Sequence, residues 1–127
     1  MTRPVLLDAS FLISLERETA RAEVGPARRF LPKLQGRPLV VSVITVEEIL
    51  EGAASESAAV SALQRFSIQG VHLAQAKRCA LIQRRASRRL GENDAWLVAT
   101  AESLDADLVG ADTSAFERLG DRYLRFK

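Results

Sequence analysis

The sequence predicts an α/β fold, with a mostly parallel central sheet of about five strands between two layers of helices. Three observations carry that expectation. Short, strongly apolar runs such as Val5-Leu6-Leu7 and Leu39-Val40-Val41 suit strands buried on both faces. Segments of helical period separate these runs, and glycine or proline punctuates the joins at Gly25-Pro26, Gln35-Gly36-Arg37-Pro38, Gly52 and Gly91.

In chain order, Arg3 to Leu7 reads as the first strand, and a helix follows from Phe11 to near Arg21. A second helix is expected over Ala27 to Leu34, a strand at Leu39-Val40-Val41, and helices over Val43 to Gly52 and Ser57 to Phe66. Gly70-Val71-His72-Leu73 reads as a third strand, and a long helix should run from Ala74 to Leu90. Asp94 to Leu104 is apolar nearly all round, so that helix should be deeply buried. Asp107-Leu108-Val109 is a fourth strand, Ser114 to Leu119 a short helix, and Tyr123 to Phe126 a terminal strand.

The 127 residues suit one domain spanning 1–127, and 47% hydrophobic content supplies its core. Cys79 is the only cysteine, which excludes an internal disulfide and a cysteine-rich zinc site. No apolar run approaches the roughly 20 residues that span a bilayer, and Asp8 interrupts the opening apolar run too early for a signal peptide. A soluble, cytoplasmic protein with no membrane partner is expected. Eighteen basic residues against 16 acidic ones leave a formal charge of +2, a total that says nothing of how charge is distributed.

Four acids fall at strand ends or helix starts: Asp8, Glu48, Asp94 and Asp112. Each has a structural alternative. Asp8 suits an Asx turn or helix N-cap, although Ser10 can cap instead. Thr45-Val46-Glu47-Glu48 has the spacing of a capping box, with Glu48 reaching back to the Thr45 amide. Asp94 heads a stripe with Leu97, Ala101 and Leu104, while Asn93 is available as the cap. Asp112 can cap too, and Ser114-Ala115-Phe116-Glu117 offers a rival box one step on.

Taken together, the four acids would meet at one sheet edge of a parallel α/β domain, where ligands bind. Two unit charges ~4 Å apart repel by roughly 4 kcal/mol at an effective dielectric near 20. A divalent cation removes that cost. Oxygen donors without Cys or a suitable His favour a hard ion, Mg²⁺ or Mn²⁺. Such ions activate water and stabilise charge on phosphoryl oxygens, so metal-dependent phosphodiester hydrolysis is the chemistry implied.

These segments resemble the motifs of PIN-domain ribonucleases, and in particular the VapC-type toxins of bacterial toxin–antitoxin modules. Leu6-Leu7-Asp8-Ala9-Ser10-Phe11-Leu12-Ile13 is similar to the opening motif, and Ser42 to Gly52 to the second, in a register that selects Glu48 over Glu47. Gly91-Glu92-Asn93-Asp94-Ala95-Trp96 resembles the third motif, and Leu108 to Phe116 the fourth. The fourth departs from the pattern: many relatives have Thr in place of Gly110 and Asp just before the phenylalanine, where Ala115 stands here. The resemblance implies a PIN-like three-layer α/β/α sandwich and Mg²⁺ or Mn²⁺ held by Asp8, Glu48, Asp94 and Asp112. It also implies water-positioning roles for Ser10, Asn93 and Thr113. RNA would be cleaved in line to leave a 5′-phosphate, by a homodimeric toxin held inactive by a small antitoxin protein. The alternative is a catalytically inactive PIN-fold module that only binds RNA or protein.

Between Lys77 and Arg89 lie Lys77, Arg78, Arg84, Arg85, Arg88 and Arg89, with no acid among them. On one helix these project away from an apolar stripe of Cys79, Ile82, Ala86 and Leu90. The face suits either plain solvation or RNA phosphates, with Arg84, Arg85, Arg88 and Arg89 as the candidate contacts. His72, Cys79 and Trp96 read as structural residues, Trp96 as packing or dimer interface. An acidic pair after the first strand, as in receiver domains, and the Asp-x-Asp of haloacid-dehalogenase phosphatases are both absent, since the chain reads Asp8-Ala9-Ser10.

Overall fold

The computed structural model describes residues 2–111 and 113–127, the Thr113 side chain excepted. Its elements run β1 (Val5–Leu7), α1 (Ala9–Ala20), α2 (Pro26–Phe30), β2 (Leu39–Ser42), α3 (Val43–Glu51), α4 (Glu56–Leu63) and β3 (Ser67–Gln69). They continue with α5 (Leu73–Arg85), α6 (Glu92–Leu104), β4 (Asp107–Gly110), α7 (Thr113–Phe116) and β5 (Tyr123–Arg125), with 3-10 turns at Leu31–Leu34 and Glu117–Arg122. The strands form one sheet in the order β3-β2-β1-β4-β5, and every pairing is parallel. Among the described residues, no helix is long and apolar enough to cross a membrane.

Because successive strand residues point to opposite faces, each strand feeds two cores. Val5, Leu7 and Val109 pack under α1, α2 and α4 with Phe11, Leu15 and Leu63. Leu6 and Leu108 pack on the other face with Cys79 and Ile82 of α5 and Leu97, Val98 and Ala101 of α6. Each fully buried Leu, Val or Phe contributes roughly 1.5–3 kcal/mol. The strand order reverses at β1: the chain steps outward through β2 and β3, then returns to β1's other side with β4. The β1–β4 junction is therefore the topological switch point, and Asp8 follows β1 directly.

Three expectations need correction. The third strand is Ser67–Gln69, not Gly70-Val71-His72-Leu73; it pairs Ser67, Ile68 and Gln69 with Val40, Val41 and Ser42, and His72 is the N-cap of α5. The long helix ends at Arg85, because Ala86 turns to an extended conformation (φ −69°, ψ 133°). Ala86, Arg88, Arg89 and Leu90 thus lie off that helix. The helix expected over Ser114–Leu119 is α7 followed by a 3-10 turn, so Ser114 sits inside a helix rather than capping one.

Two acids have structural tasks that no local pattern signals. Glu18, near the end of α1, is buried and accepts backbone hydrogen bonds from Gly25 (2.9 Å), Ala27 (3.0 Å) and Arg28 (2.8 Å), closing the amino end of α2. A Cβ at Gly25 would lie 2.6 Å from the Glu18 carboxyl, so glycine is needed for this approach. At the far end of the sheet, Asp107 pairs with both Arg3 and Arg37. Burial raises the Glu18 pKa, but those three amides and the Arg29 charge outweigh it and hold the value below 4.5. A depressed folded value gives stability that is present above the unfolded pKa and lost as pH falls through the folded one. Glu18→Gln is therefore expected to lower the thermal midpoint at neutral pH, with the gap to wild type closing on acidification. Midpoints measured from pH 7 down through the carboxylate range test this, and a gap constant with pH would remove the charge from the account.

Candidate active site

β1 delivers Asp8 to the switch point, and the Asp8 amide donates to Val109 O (3.1 Å), extending the β1–β4 ladder. The side chain is 7% exposed. A buried carboxylate needs donors, and two are at hand. The Phe11 amide donates to Oδ1 (2.9 Å), and the Ser10 hydroxyl lies 2.8 and 2.9 Å from Oδ1 and Oδ2. Asp8 is thus the N-cap of α1, and Ser10 supports it rather than replacing it.

The bed beneath this carboxylate is made by an absence. Gly110 ends β4, and a Cβ there would stand 2.7 Å from Asp8 Oδ2 and 3.1 Å from the Phe116 ring. The Asp8 side chain occupies the space that any other residue at 110 would claim.

Glu48 does not close a capping box. Ser42 is the N-cap of α3, its hydroxyl accepting from the Ile44 amide (3.1 Å), which leaves Thr45 inside the helix. Glu48 is half-buried and hydrogen-bonded to the Asn93 side chain, whereas Glu47 is exposed and interacts with Glu51. Burial, above all, raises the Glu48 pKa; the charges of Asp94, Asp8 and Glu51 push the same way, and the Asn93 bond opposes them. Acids from three separate elements therefore feel one another at this edge. Thr45 Oγ1, one turn before Glu48, is fully buried with no hydrogen-bond partner among the described residues.

Asp94 and Asn93 lie in the first turn of α6, whose N-cap is Gly91, so Asn93 is not the cap. Carboxylates in a first turn are favoured by the helix dipole. Asp112 and the Thr113 side chain lie outside the described residues. Arg84 and Arg85 sit in the last turn of α5, and Arg88 and Arg89 on the bend before α6. Trp96 is half-buried against the α5–α6 core, and Cys79 is buried there.

As donors, Asp8, Glu48 and Asp94 suit a hard divalent cation: all are carboxylate oxygens, and their mutual repulsion is what such an ion relieves. Among the described residues, however, no three His, Cys, Asp or Glu side chains close on one point as a ready cation cage.

Residues 5–122 match the PIN domain family model. This chain belongs to the PIN-domain family. The PIN domain also superposes on solved structures over almost its whole length. A toxin–antitoxin complex from Klebsiella pneumoniae is 23% identical, with a TM-score of 0.79 and coverage of 97% of this chain and 98% of that one. VapBC-1 from nontypeable Haemophilus influenzae is 22% identical, with a TM-score of 0.71 and 96% and 97% coverage. FitAcB from Neisseria gonorrhoeae is 19% identical, with a TM-score of 0.71 and 97% and 96% coverage. At these identities the likeness is one of fold. Among curated proteins no significant match is found. In this PIN domain, the acid-bearing edge is the switch-point edge of the sheet, where the fold leaves room for a ligand.

Proposed function

We propose that this PIN domain is a Mg²⁺- or Mn²⁺-dependent endoribonuclease and the toxin of a VapBC-type toxin–antitoxin pair. The observation that carries the reading is the placement of the acids: Asp8 at the switch point after β1, bedded on Gly110, with Glu48 of α3 and Asp94 in the first turn of α6 close enough for their charges to be felt together. Asp8, Glu48, Asp94 and Asp112 would hold the cation. When bound, it supplies an activated water and offsets charge on the phosphoryl oxygens. The protein's own part is orientation: the Phe11 amide and Ser10 hydroxyl fix Asp8, and Asn93 fixes Glu48. The substrate is RNA. A small antitoxin protein is its partner, a reading supported by the toxin–antitoxin complexes among its structural neighbours. A second copy of the chain as partner and the cytoplasm as its place belong to the same proposal.

Asp94→Asn is expected to abolish Mg²⁺-dependent RNA cleavage while leaving the circular dichroism spectrum unchanged, and EDTA should silence the wild type. Unaltered cleavage by the variant would sink the assignment. A catalytically silent RNA- or protein-binding module is the second reading. It is favoured by Ala115 in the fourth motif and by the lack of a closed acid cage among the described residues. Wild-type protein that binds RNA but never cleaves it would decide for that reading.

A further inference from the structure

The bend between α5 and α6 is held, not loose. Gln83 reaches forward from α5 and clasps Leu90 on both sides, accepting from its amide (3.0 Å) and donating to its carbonyl (3.0 Å). The chain from Ser87 to Gly91 therefore swings away from the α5 axis and forms one wall of a cleft of about 540 Å³. The opposite wall comes from Ser114 and Ala115 of α7 and from Glu117 and Arg118 of the 3-10 turn, and Asp94 lines the same space.

Three arginines border this cleft, Arg88, Arg89 and Arg118, against the acids Asp94 and Glu117. They are not equivalent. Arg89 is exposed and pairs with exposed Glu92 (2.9 Å). Arg118 is anchored, its Nε donating to Glu102 Oε2 (2.8 Å). Arg88 is exposed on the bend itself. The amino end of α6 also opens here, and its N-cap Gly91 offers the first-turn amides no side-chain acceptor. Arginine forks are the usual chemistry of phosphate recognition. Arg84 and Arg85 do not line the cleft.

We infer that this cleft binds an RNA backbone phosphate next to the one presented to the acidic edge, with Arg88 and Arg118 as its contacts; the inference rests on the ribonuclease reading above. A nucleic-acid strand carries a phosphate on every nucleotide, so a second anion site adjoining the first is filled by the same molecule. Asp94 belongs to both the edge and the cleft, which makes them continuous. An acidic peptide would meet the same arginines, but it would bring no group for the carboxylate edge to act on.

The test uses the full chain with a single-stranded RNA, measuring binding in EDTA across salt concentrations and cleavage with Mg²⁺. Arg88→Ala should weaken binding roughly tenfold, as for the loss of one charge-assisted contact. It should also reduce the magnitude of the log–log salt slope by about 0.7, and raise KM while sparing kcat. Arg88→Lys should recover most of the affinity, and Arg84→Ala, on α5 and outside the cleft, should change binding and slope far less than Arg88→Ala does. Equal losses from Arg84→Ala and Arg88→Ala would move the contact to the helix face and overturn the cleft. So would unchanged RNA affinity in Arg88→Ala, and if that variant lost affinity for a polyglutamate peptide instead, the cleft would belong to a protein partner. A wild type that neither binds nor cleaves RNA defeats the ribonuclease reading itself, an outcome distinct from a wild type that does both beside an indifferent Arg88→Ala.

Discussion

Asp8→Asn and Asp8→Ala should part company. Both remove the carboxylate from the acidic edge, so both are expected to reduce metal-dependent cleavage by at least about a hundredfold. Only the alanine variant should also lose stability. Asp8 caps α1 through the Phe11 amide, and asparagine caps a helix as well as aspartate does, whereas alanine cannot. The missing cap costs about 1 kcal/mol, equivalent to a drop of about 4 °C in thermal midpoint for a domain of this size. Paired melting curves and cleavage assays separate the two roles. If asparagine melted as early as alanine, the charge rather than the cap would be what α1 requires. If asparagine cleaved normally, Asp8 would be structural alone.

Gly110→Ala should be unusually damaging for so small a change. The added methyl would stand 2.7 Å from Asp8 Oδ2, closer than that oxygen tolerates, and 3.1 Å from the Phe116 ring, a tight contact. Phe116 is 1% exposed and locked in the core, so the Asp8 carboxylate must give way. Overpacking of this kind costs about 1–3 kcal/mol. A displacement near 1 Å at a reacting centre costs about a hundredfold in rate. The expected signature is a fall in kcat that exceeds what the lost stability accounts for at a temperature where the variant is fully folded. Normal kcat in a folded Gly110→Ala protein would mean that Asp8 tolerates a second position.

Much of this architecture is legible in the residues themselves. Val5-Leu6-Leu7 is buried throughout and can only be a central strand, and the apolar circumference of Ala95 to Ala101 matches its burial in α6. Asp8 and Asp94 stand at a strand end and a helix start, so their common edge follows once the sheet is known to be parallel. Glu48, in the second turn of α3, does not follow from that pattern, because Ser42, three residues before Thr45, caps that helix. What escapes is set by distant partners. Ser67-Ile68-Gln69 has no strand-like pattern; it is an edge strand with Ile68 exposed, and it exists because Val40 to Ser42 lends it a ladder. Ala86 to Leu90 contains nothing hostile to a helix, and the stop comes from the Gln83 clasp on Leu90. The Gly110 contact joins positions about a hundred residues apart, and so does the Asp107 pairing with Arg3. The Arg118 wall of the cleft escapes for the same reason.

The strand order also fixes when the edge can exist. Asp8 emerges early in synthesis, yet its bed is laid by Gly110, and β1 lies between β2 and β4 in the sheet. Domains fold from their earlier parts forward during synthesis, and parallel pairings across long stretches of chain form slowly. A partly made chain can assemble β1, β2 and β3 with α1 to α4, but it lacks the strand that seats the Asp8 carboxylate. The edge at Asp8 is therefore complete only once Gly110 has joined the sheet. Synthesis of β4 is what seats the Asp8 carboxylate.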